Sequence, residues 1–142
     1  MSSHDRIRLI GPLFAIMRRR RWWWIALSLY VVGIFLVPTL AAHSGTAAAS
    51  SLDKVYHAAE YFGLAVLATT AARQRSRAFL LCVLIAVVDE AHQLLLPLRQ
   101  ADVLDLAADA AGIVLGFAST HAVLLWCRAR RILAKRRSGK DK

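Results

Sequence analysis

Four long apolar segments follow one another along the chain and determine its expected architecture. They cover residues 22–42, 54–72, 78–96 and 103–126. Each is close to the ~20 residues that a helix needs to cross the hydrocarbon core of a bilayer. Because the connections between them are short, neighbouring helices should lie antiparallel. The pattern predicts an all-α fold, namely an up-down four-helix transmembrane bundle in a polytopic membrane protein.

Composition supports a membrane protein with basic flanks. The chain has 142 residues, of which 58% are apolar, and yet it carries a formal net charge of +10. This is too apolar for an ordinary soluble domain of the same size. We therefore predict a basic cytoplasmic or interfacial segment at residues 1–21, one four-span domain at 22–126, and a basic cytoplasmic tail at 127–142 that is mobile beyond its first turns.

The positions of lysine and arginine predict the orientation. With the N-terminus in the cytoplasm, all of the 19 lysines and arginines except Lys54 and Arg99 fall on the same side. By the positive-inside rule both termini are then cytoplasmic. The alternative for the first segment is a cleaved signal peptide, because an arginine run, an apolar stretch and small residues near Ala41 resemble one. The length of the stretch and its three tryptophans favour a retained span.

The acidic residues show the opposite bias and predict a pocket. Seven of the nine belong to the outer half of the last three segments: Asp53, Glu60, Asp89, Glu90, Asp102, Asp105 and Asp109. A carboxylate facing lipid costs about 2.5–3.5 kcal/mol at the helix centre, so the polar stripes should face one another around a pocket that opens to the outside. Gly112 and Gly116, one turn apart, should let a neighbouring helix approach closely, although plain packing explains them equally well.

Sequence motifs exclude several enzyme classes. The letters DEAH begin at Asp89, but a phosphate-binding loop is missing, which excludes an ATPase, and H-E-x-x-H is missing, which excludes a zinc peptidase. The pairs His57/Glu60 and Asp89/His92 have metal-ligand spacing, yet His92 should point about 100° away from Gln93, so the sequence predicts no metal site and no cofactor. Cys82 and Cys127 should be free thiols. The basic tail suits anionic lipids better than nucleic acid.

A longer pattern of polar and small residues resembles a known family. It reads Asp53-Lys54-x-x-His57-x-x-x-Tyr61-x-x-Leu64, then Glu90-x-x-Gln93-x-x-x-Pro97-x-Arg99-x-x-Asp102-x-x-Asp105, then Asp109-x-x-Gly112-x-x-x-Gly116. This pattern is similar to that of the VanZ-like family of small bacterial integral membrane proteins, in which Asn is more frequent than Asp at position 109. The resemblance agrees with four spans and implies a location in the inner membrane of a bacterium. The founding member of the family is associated with reduced susceptibility to the glycopeptide antibiotic teicoplanin.

The residues then receive expected roles. Lys54 and Arg99 should hold the anionic head group of an envelope lipid or a lipid-linked glycan, and Arg99 has the alternative of pairing with Asp102 or Asp105. Glu90 and His57 are the expected catalytic, proton-handling pair, and Gln93 and Asp105 should orient them. The remaining predicted pocket residues are Asp53, Glu60 and Asp109. A transporter or accessory subunit that relays protons, and a purely structural hydrogen-bond network, are the alternatives.

Overall fold

Four α-helices make up the computed structural model, which describes residues 20–44, 52–72, 74–96 and 102–138. They are α1 (Arg20–His43), α2 (Asp53–Ala71), α3 (Arg75–Gln93) and α4 (Val103–Ser138). The all-α prediction is confirmed, and the first three helices lie within three residues of their expected bounds. The fourth is different, because α4 continues through the start of the expected tail to Ser138.

Two of the described helices are long and apolar enough to cross a membrane. These are the segments Arg21–His43 in α1 and Val103–Leu133 in α4. The shorter helices α2 and α3 do not meet the same criteria. Charged residues lie in the first half of α2 and near both ends of α3.

Helix α2 occupies the centre of the fold. It contacts all three other helices and packs most extensively against α4, whereas no Cα atoms of α1 and α4 lie within 8 Å of each other in the described part of the chain. The side chains on its inner face are mostly small, and Tyr61, Leu64, Ala65, Ala68 and Ala71 are completely buried. Small side chains let neighbouring helices approach closely without any loss of packing density.

Helices α2 and α4 run in the same direction, and α3 runs opposite to both. Lys54 near the start of α2 contacts Asp105 near the start of α4, and Ala65 further along α2 faces Gly116 further along α4. In contrast, the start of α3 lies beside the middle of α4, where Phe79 and Phe117 stack edge to face with ring centroids 5.7 Å apart. The most extensive helix contact is therefore between two parallel helices that are not adjacent in sequence.

Two glycines of α4 make this close pairing possible. A Cβ atom on Gly112 would collide with the carbonyl oxygen of Ala58 and would lie 2.9 Å from the backbone nitrogen of Phe62. A Cβ on Gly116 would lie 2.7 Å from the Cβ of Ala65. The predicted close approach at these glycines is confirmed, and the neighbour that approaches is α2.

Polar and apolar parts of the core are separated along the helices. The buried polar and charged residues are His57, Asp89, Gln93, Asp105 and Asp109. They lie where α2 and α4 begin and α3 ends. Toward the other end, the buried side chains of the described residues are apolar and include Cys82. The sequence predicted this convergence of polar stripes, and the structure confirms it.

Candidate functional site

An ion-paired lysine lies at the rim of the polar end. The ammonium of Lys54 donates hydrogen bonds to Asp102 Oδ2 at 2.7 Å and to Asp105 Oδ1 at 3.0 Å. Asp102 also caps α4, because its Oδ1 accepts from the backbone N–H of Leu104 at 2.9 Å. The hydrogen bond from Lys54, followed by the one from Leu104, lowers the pKa of Asp102 below its ordinary value. Two carboxylates therefore already neutralise Lys54.

A buried histidine–carboxylate pair lies one turn deeper. His57 follows Lys54 by one turn on α2, and its Nδ1 contacts Asp109 Oδ1 at 2.9 Å. Both side chains are almost fully buried, with 6% and 1% of their surface exposed. The second carboxylate oxygen of Asp109, Oδ2, has no hydrogen-bond partner among the described residues. This pairing fixes the orientation of the imidazole ring.

A second buried carboxylate connects α2 with α3. The hydroxyl of Tyr61 donates to Asp89 Oδ2 at 3.3 Å, and Gln93 Nε2 donates to the same oxygen at 3.2 Å. Within the described chain, Asp89 Oδ1 and Gln93 Oε1 have no partner. Tyr61 and Asp89 were not among the predicted site residues. Their spacing could have indicated them, since Tyr61 lies four residues after His57 and Asp89 four residues before Gln93.

A groove of about 650 Å³ lies over these polar groups. Its polar lining comes from α2 and α3 and consists of Asp53, Tyr56, His57, Glu60, Asp89 and Gln93. Its opposite wall is apolar and belongs to α1, with Leu29, Ile34, Val37 and Pro38. Tyr30 ties the two sides together, because its hydroxyl donates to the backbone carbonyl of Glu60 at 2.9 Å. The result is a groove with polar groups on one side and an aliphatic wall on the other.

The structure changes the expected partners of the predicted proton-handling pair. His57 hydrogen-bonds to Asp109, not to Glu90, and Glu90 does not contribute to the groove lining. The reason is helical geometry: neighbouring positions differ by ~100°, so when Asp89 faces α2, Glu90 is turned away from it. One oxygen of Glu90, Oε2, is nevertheless buried without a partner among the described residues. Gln93 donates to Asp89, so the expected orientation of His57 by Gln93 is not seen.

Arg99 lies outside the described residues, so the structure does not place the second predicted head-group cation. The expected direction of His92 agrees with the structure. Its Nε2 lies 3.3 Å from the hydroxyl of Thr39, and its ring stacks edge to face on Phe35 with centroids 5.3 Å apart. His92 thus contacts α1 and is directed away from the other polar groups of α3.

One group of side chains has the composition of a metal site. Asp53, His57 and Asp105 each offer a ligand atom, and these three atoms lie within 4.8 Å of one another. His57 and Asp105 are buried, and Asp53 is half-buried. The sequence patterns weighed for metal binding, His57/Glu60 and Asp89/His92, do not form this group. The group combines residues of α2 and α4, so the spacing of residues along one helix cannot predict it.

These features define a small helical protein with two helices of membrane-spanning length and a cluster of buried polar groups beneath a groove. The sequence model of the VanZ/LLP1 family matches residues 14–126, which include α1, α2, α3 and most of α4. The chain belongs to the VanZ/LLP1 family. Comparison with curated proteins and with solved structures returned no match.

Proposed function

We propose that all four helices cross the bacterial inner membrane, with both termini in the cytoplasm. The arrangement of charge along α2, α3 and α4 supports this orientation. The acidic residues gather where α2 and α4 begin, while Arg75 and Arg77 lie at the start of α3, at the opposite end. Arg128, Arg130 and Arg131 continue beyond that end on α4. Basic residues mark the cytoplasmic side of a membrane protein, so the polar groove then opens toward the outer surface.

We further propose that the groove binds an envelope lipid or a lipid-linked glycan. If the protein is an enzyme, it also modifies this ligand. The observation that supports this is the two-sided lining of the groove. Leu29, Val37 and Pro38 on α1 offer a surface for acyl or prenyl chains, whereas Asp53, Glu60 and Gln93 offer hydrogen-bonding groups to a head group. Ligand sites commonly combine apolar walls with a few polar groups that fix orientation. Carboxylates accept hydrogen bonds from the hydroxyl groups of sugars or glycerol.

His57 is the groove residue best suited to move a proton. Its ring lines the groove, and Asp109 holds Nδ1, so a ligand would meet Nε2. A histidine held in one orientation by a carboxylate is a common arrangement in general acid–base catalysis. If the protein modifies its ligand, we assign this role to His57, with Asp109 as its positioning residue. Glu90 remains the second candidate acid because of its unpaired buried oxygen.

Proton transport is the alternative function, and the distribution of buried polar groups makes it the weaker one. A relay across the membrane needs polar groups or water along the whole path. Beyond the level of Tyr61, the described core consists of apolar residues such as Leu64, Ala68 and Ile85. The polar network therefore suits a site that is open to one side. If function in cells depended on the proton gradient with no change in any envelope lipid, transport would be favoured instead.

Lipid analysis of a blocked groove tests the proposal. Gly33 lines the groove, and a Cβ atom there would meet nothing within 4 Å, so Gly33→Leu should fill the groove without disturbing the polar groups. The control is Val32→Leu, since Val32 is adjacent and 56% exposed. Lipids that co-purify in mild detergent are identified by mass spectrometry. We expect the wild-type and Val32→Leu proteins to enrich one lipid class over the bulk membrane, and Gly33→Leu to lose this enrichment.

Two outcomes would contradict the proposal. The first is a wild-type protein that carries lipids only in the proportions of the surrounding membrane. The second is a Gly33→Leu protein that folds and retains the same enriched lipid at the same stoichiometry. In cells, a deletion strain that keeps every envelope lipid unchanged would count against modification while leaving binding in place. Failure of Glu90→Gln to complement the deletion, with normal insertion, would exclude a purely structural bundle.

A further inference from the structure

We propose that Asp53, His57 and Asp105 bind a divalent transition-metal ion beside the groove. One ligand atom from each residue lies within 4.8 Å of the others. Such an ion lies about 2.0–2.2 Å from nitrogen and oxygen ligands, so two ligand atoms are at most about 4.4 Å apart. Rotations of side chains are sufficient to close the remaining distance. Two carboxylates and one imidazole suit ions such as Mn²⁺ or Zn²⁺.

The orientation of His57 supports this site independently of the carboxylates. Its side chain is 6% exposed and its Nδ1 contacts Asp109, so Nε2 is the ring nitrogen that remains available to an ion. Histidines that bind metals usually donate their other N–H to a carboxylate, which fixes the ring for coordination. Asp109 takes this position behind His57.

Charge also favours a cation here. The carboxylates of Asp53, Asp105 and Asp109 surround His57, and Lys54 contacts Asp105. Lys54 binds Asp105 through Oδ1, one of the two oxygens of that carboxylate. Its side chain is 44% exposed, so it can turn outward into water when an ion binds. A dication would compensate the negative charge of these buried groups.

The ion would give the groove a chemistry that its own side chains lack. Three protein ligands leave coordination positions open to an oxygen of a bound molecule. Because the groove lining is acidic, a phosphate group would otherwise be repelled from it. We infer that the ion contacts a phosphate or hydroxyl oxygen of the lipid head group. This role in ligand binding rests on the proposed function, whereas the ion site does not.

Titration with manganese tests the site. Mn²⁺ is the probe, since its preference for oxygen ligands limits competition from Cys82 and Cys127. The purified full-length protein in detergent, treated with chelator and dialysed, is titrated with MnCl₂ by calorimetry and electron paramagnetic resonance. We expect one saturable site in the wild-type protein and a loss of affinity of at least about tenfold in Asp105→Asn and in Asp53→Asn. Thermal unfolding verifies that each variant is folded.

The matched control is Asp102→Asn. Asp102 binds Lys54 just as Asp105 does but lies outside the ligand group, so this variant should keep the manganese affinity of the wild-type protein. Asp109→Asn should weaken binding by about 10–100-fold, as loss of a carboxylate behind a histidine ligand does. Absence of a saturable site in the wild-type protein would refute the proposal. Equal losses in Asp102→Asn and Asp105→Asn would refute it as well, because they would indicate diffuse attraction to surface carboxylates.

Lipid measurements separate failure of the ion site from failure of the proposed function. If Mn²⁺ binds as expected but Gly33→Leu and wild-type protein carry the same lipids, the ion site holds and the proposed ligand does not. If the enriched lipid persists after chelation and in Asp105→Asn, the groove binds lipid and the inferred role of the ion is wrong. Both proposals are supported if three results are obtained together. Chelation and Asp105→Asn each remove the enriched lipid, and Gly33→Leu removes the lipid but leaves the Mn²⁺ affinity unchanged.

Discussion

Replacement of Gly112 by alanine should weaken the central helix pair. The added Cβ would point at α2, where it would collide with the carbonyl oxygen of Ala58 and approach the backbone nitrogen of Phe62 to 2.9 Å. Real Cβ atoms do not come this close to backbone atoms, and backbone cannot rotate away as a long side chain can. The two helices would have to move apart, which would also disturb the hydrogen bond between His57 and Asp109 one turn away.

The size of the effect follows from a comparison with Gly33→Ala. Alanine is favoured over glycine in a helix interior by about 1 kcal/mol, and this gain applies to both substitutions. A Cβ on Gly33 meets nothing within 4 Å, so Gly33→Ala should be stabilising by up to about 1 kcal/mol. Overpacking of a tight interface costs about 1–3 kcal/mol. The difference in unfolding free energy between the two variants should therefore be about 1–3 kcal/mol, with Gly112→Ala the less stable.

Thermal unfolding in detergent or lipid nanodiscs provides the assay. Loss of the monodisperse size-exclusion peak after heating, or loss of helical circular dichroism, gives a midpoint for each variant. Gly116→Ala should behave as Gly112→Ala does, since its Cβ would lie 2.7 Å from the Cβ of Ala65. If Gly112→Ala were as stable as Gly33→Ala, the close packing of α4 on α2 would be wrong, and the placement of the polar site between them would be wrong with it.

Three further predictions concern charge, hydrogen bonding and topology. Lys54 lowers the pKa of Asp102, so the stabilisation from this ion pair should be complete above pH ~4 and lost as the pH falls through the lowered pKa. In an acid unfolding titration, Asp102→Asn should therefore be less sensitive to acid than the wild-type protein. Equal unfolding curves for the two proteins would contradict this prediction. Tyr61→Phe should lower the unfolding free energy by about 1–3 kcal/mol in a denaturant titration, because buried Asp89 loses a hydrogen-bond donor. An unchanged denaturation midpoint would argue against the hydrogen bond between Tyr61 and Asp89. In intact spheroplasts a membrane-impermeant maleimide should not label Cys127, and permeabilisation should expose it, whereas labelling of intact cells would contradict a cytoplasmic C-terminus. The other cysteine is buried and should react in neither case.

The pattern of apolar residues predicted the four helices well, but it did not indicate how far α4 extends beyond the fourth apolar segment. Residues after Trp126 appeared to be a tail because arginines and lysines interrupt the apolar run. Helix α4 nevertheless continues to Ser138. The signal was present in the helix propensity of Arg, Ala, Leu and Lys, which dominate this stretch. The hydropathy of a segment indicates whether it can lie in lipid, whereas the helix propensity of the following residues indicates whether the helix can continue outside the lipid.

The convergence of polar stripes was predictable, but the partners within the site were not. Periodicity assigns His57 and Asp109 to inward faces of their helices without indicating which helices meet. A rotation of ~100° per residue makes Asp89, not Glu90, the partner of Tyr61 on α2. In the same way, the glycines predicted a close neighbour for α4, and only the folded arrangement shows that this neighbour is α2.

The pairing of α2 with α4 has a consequence for biosynthesis. In the proposed topology, α2 enters the membrane with Lys54 and His57 before their carboxylate partners exist, because Asp102 follows Lys54 by 48 residues and Asp109 follows His57 by 52. At about 5–20 residues per second, translation needs several seconds to produce them. During that interval α2 depends on the insertion machinery or on water at the bilayer surface. A ribosome stalled before α4 would therefore leave an earlier helix incompletely inserted.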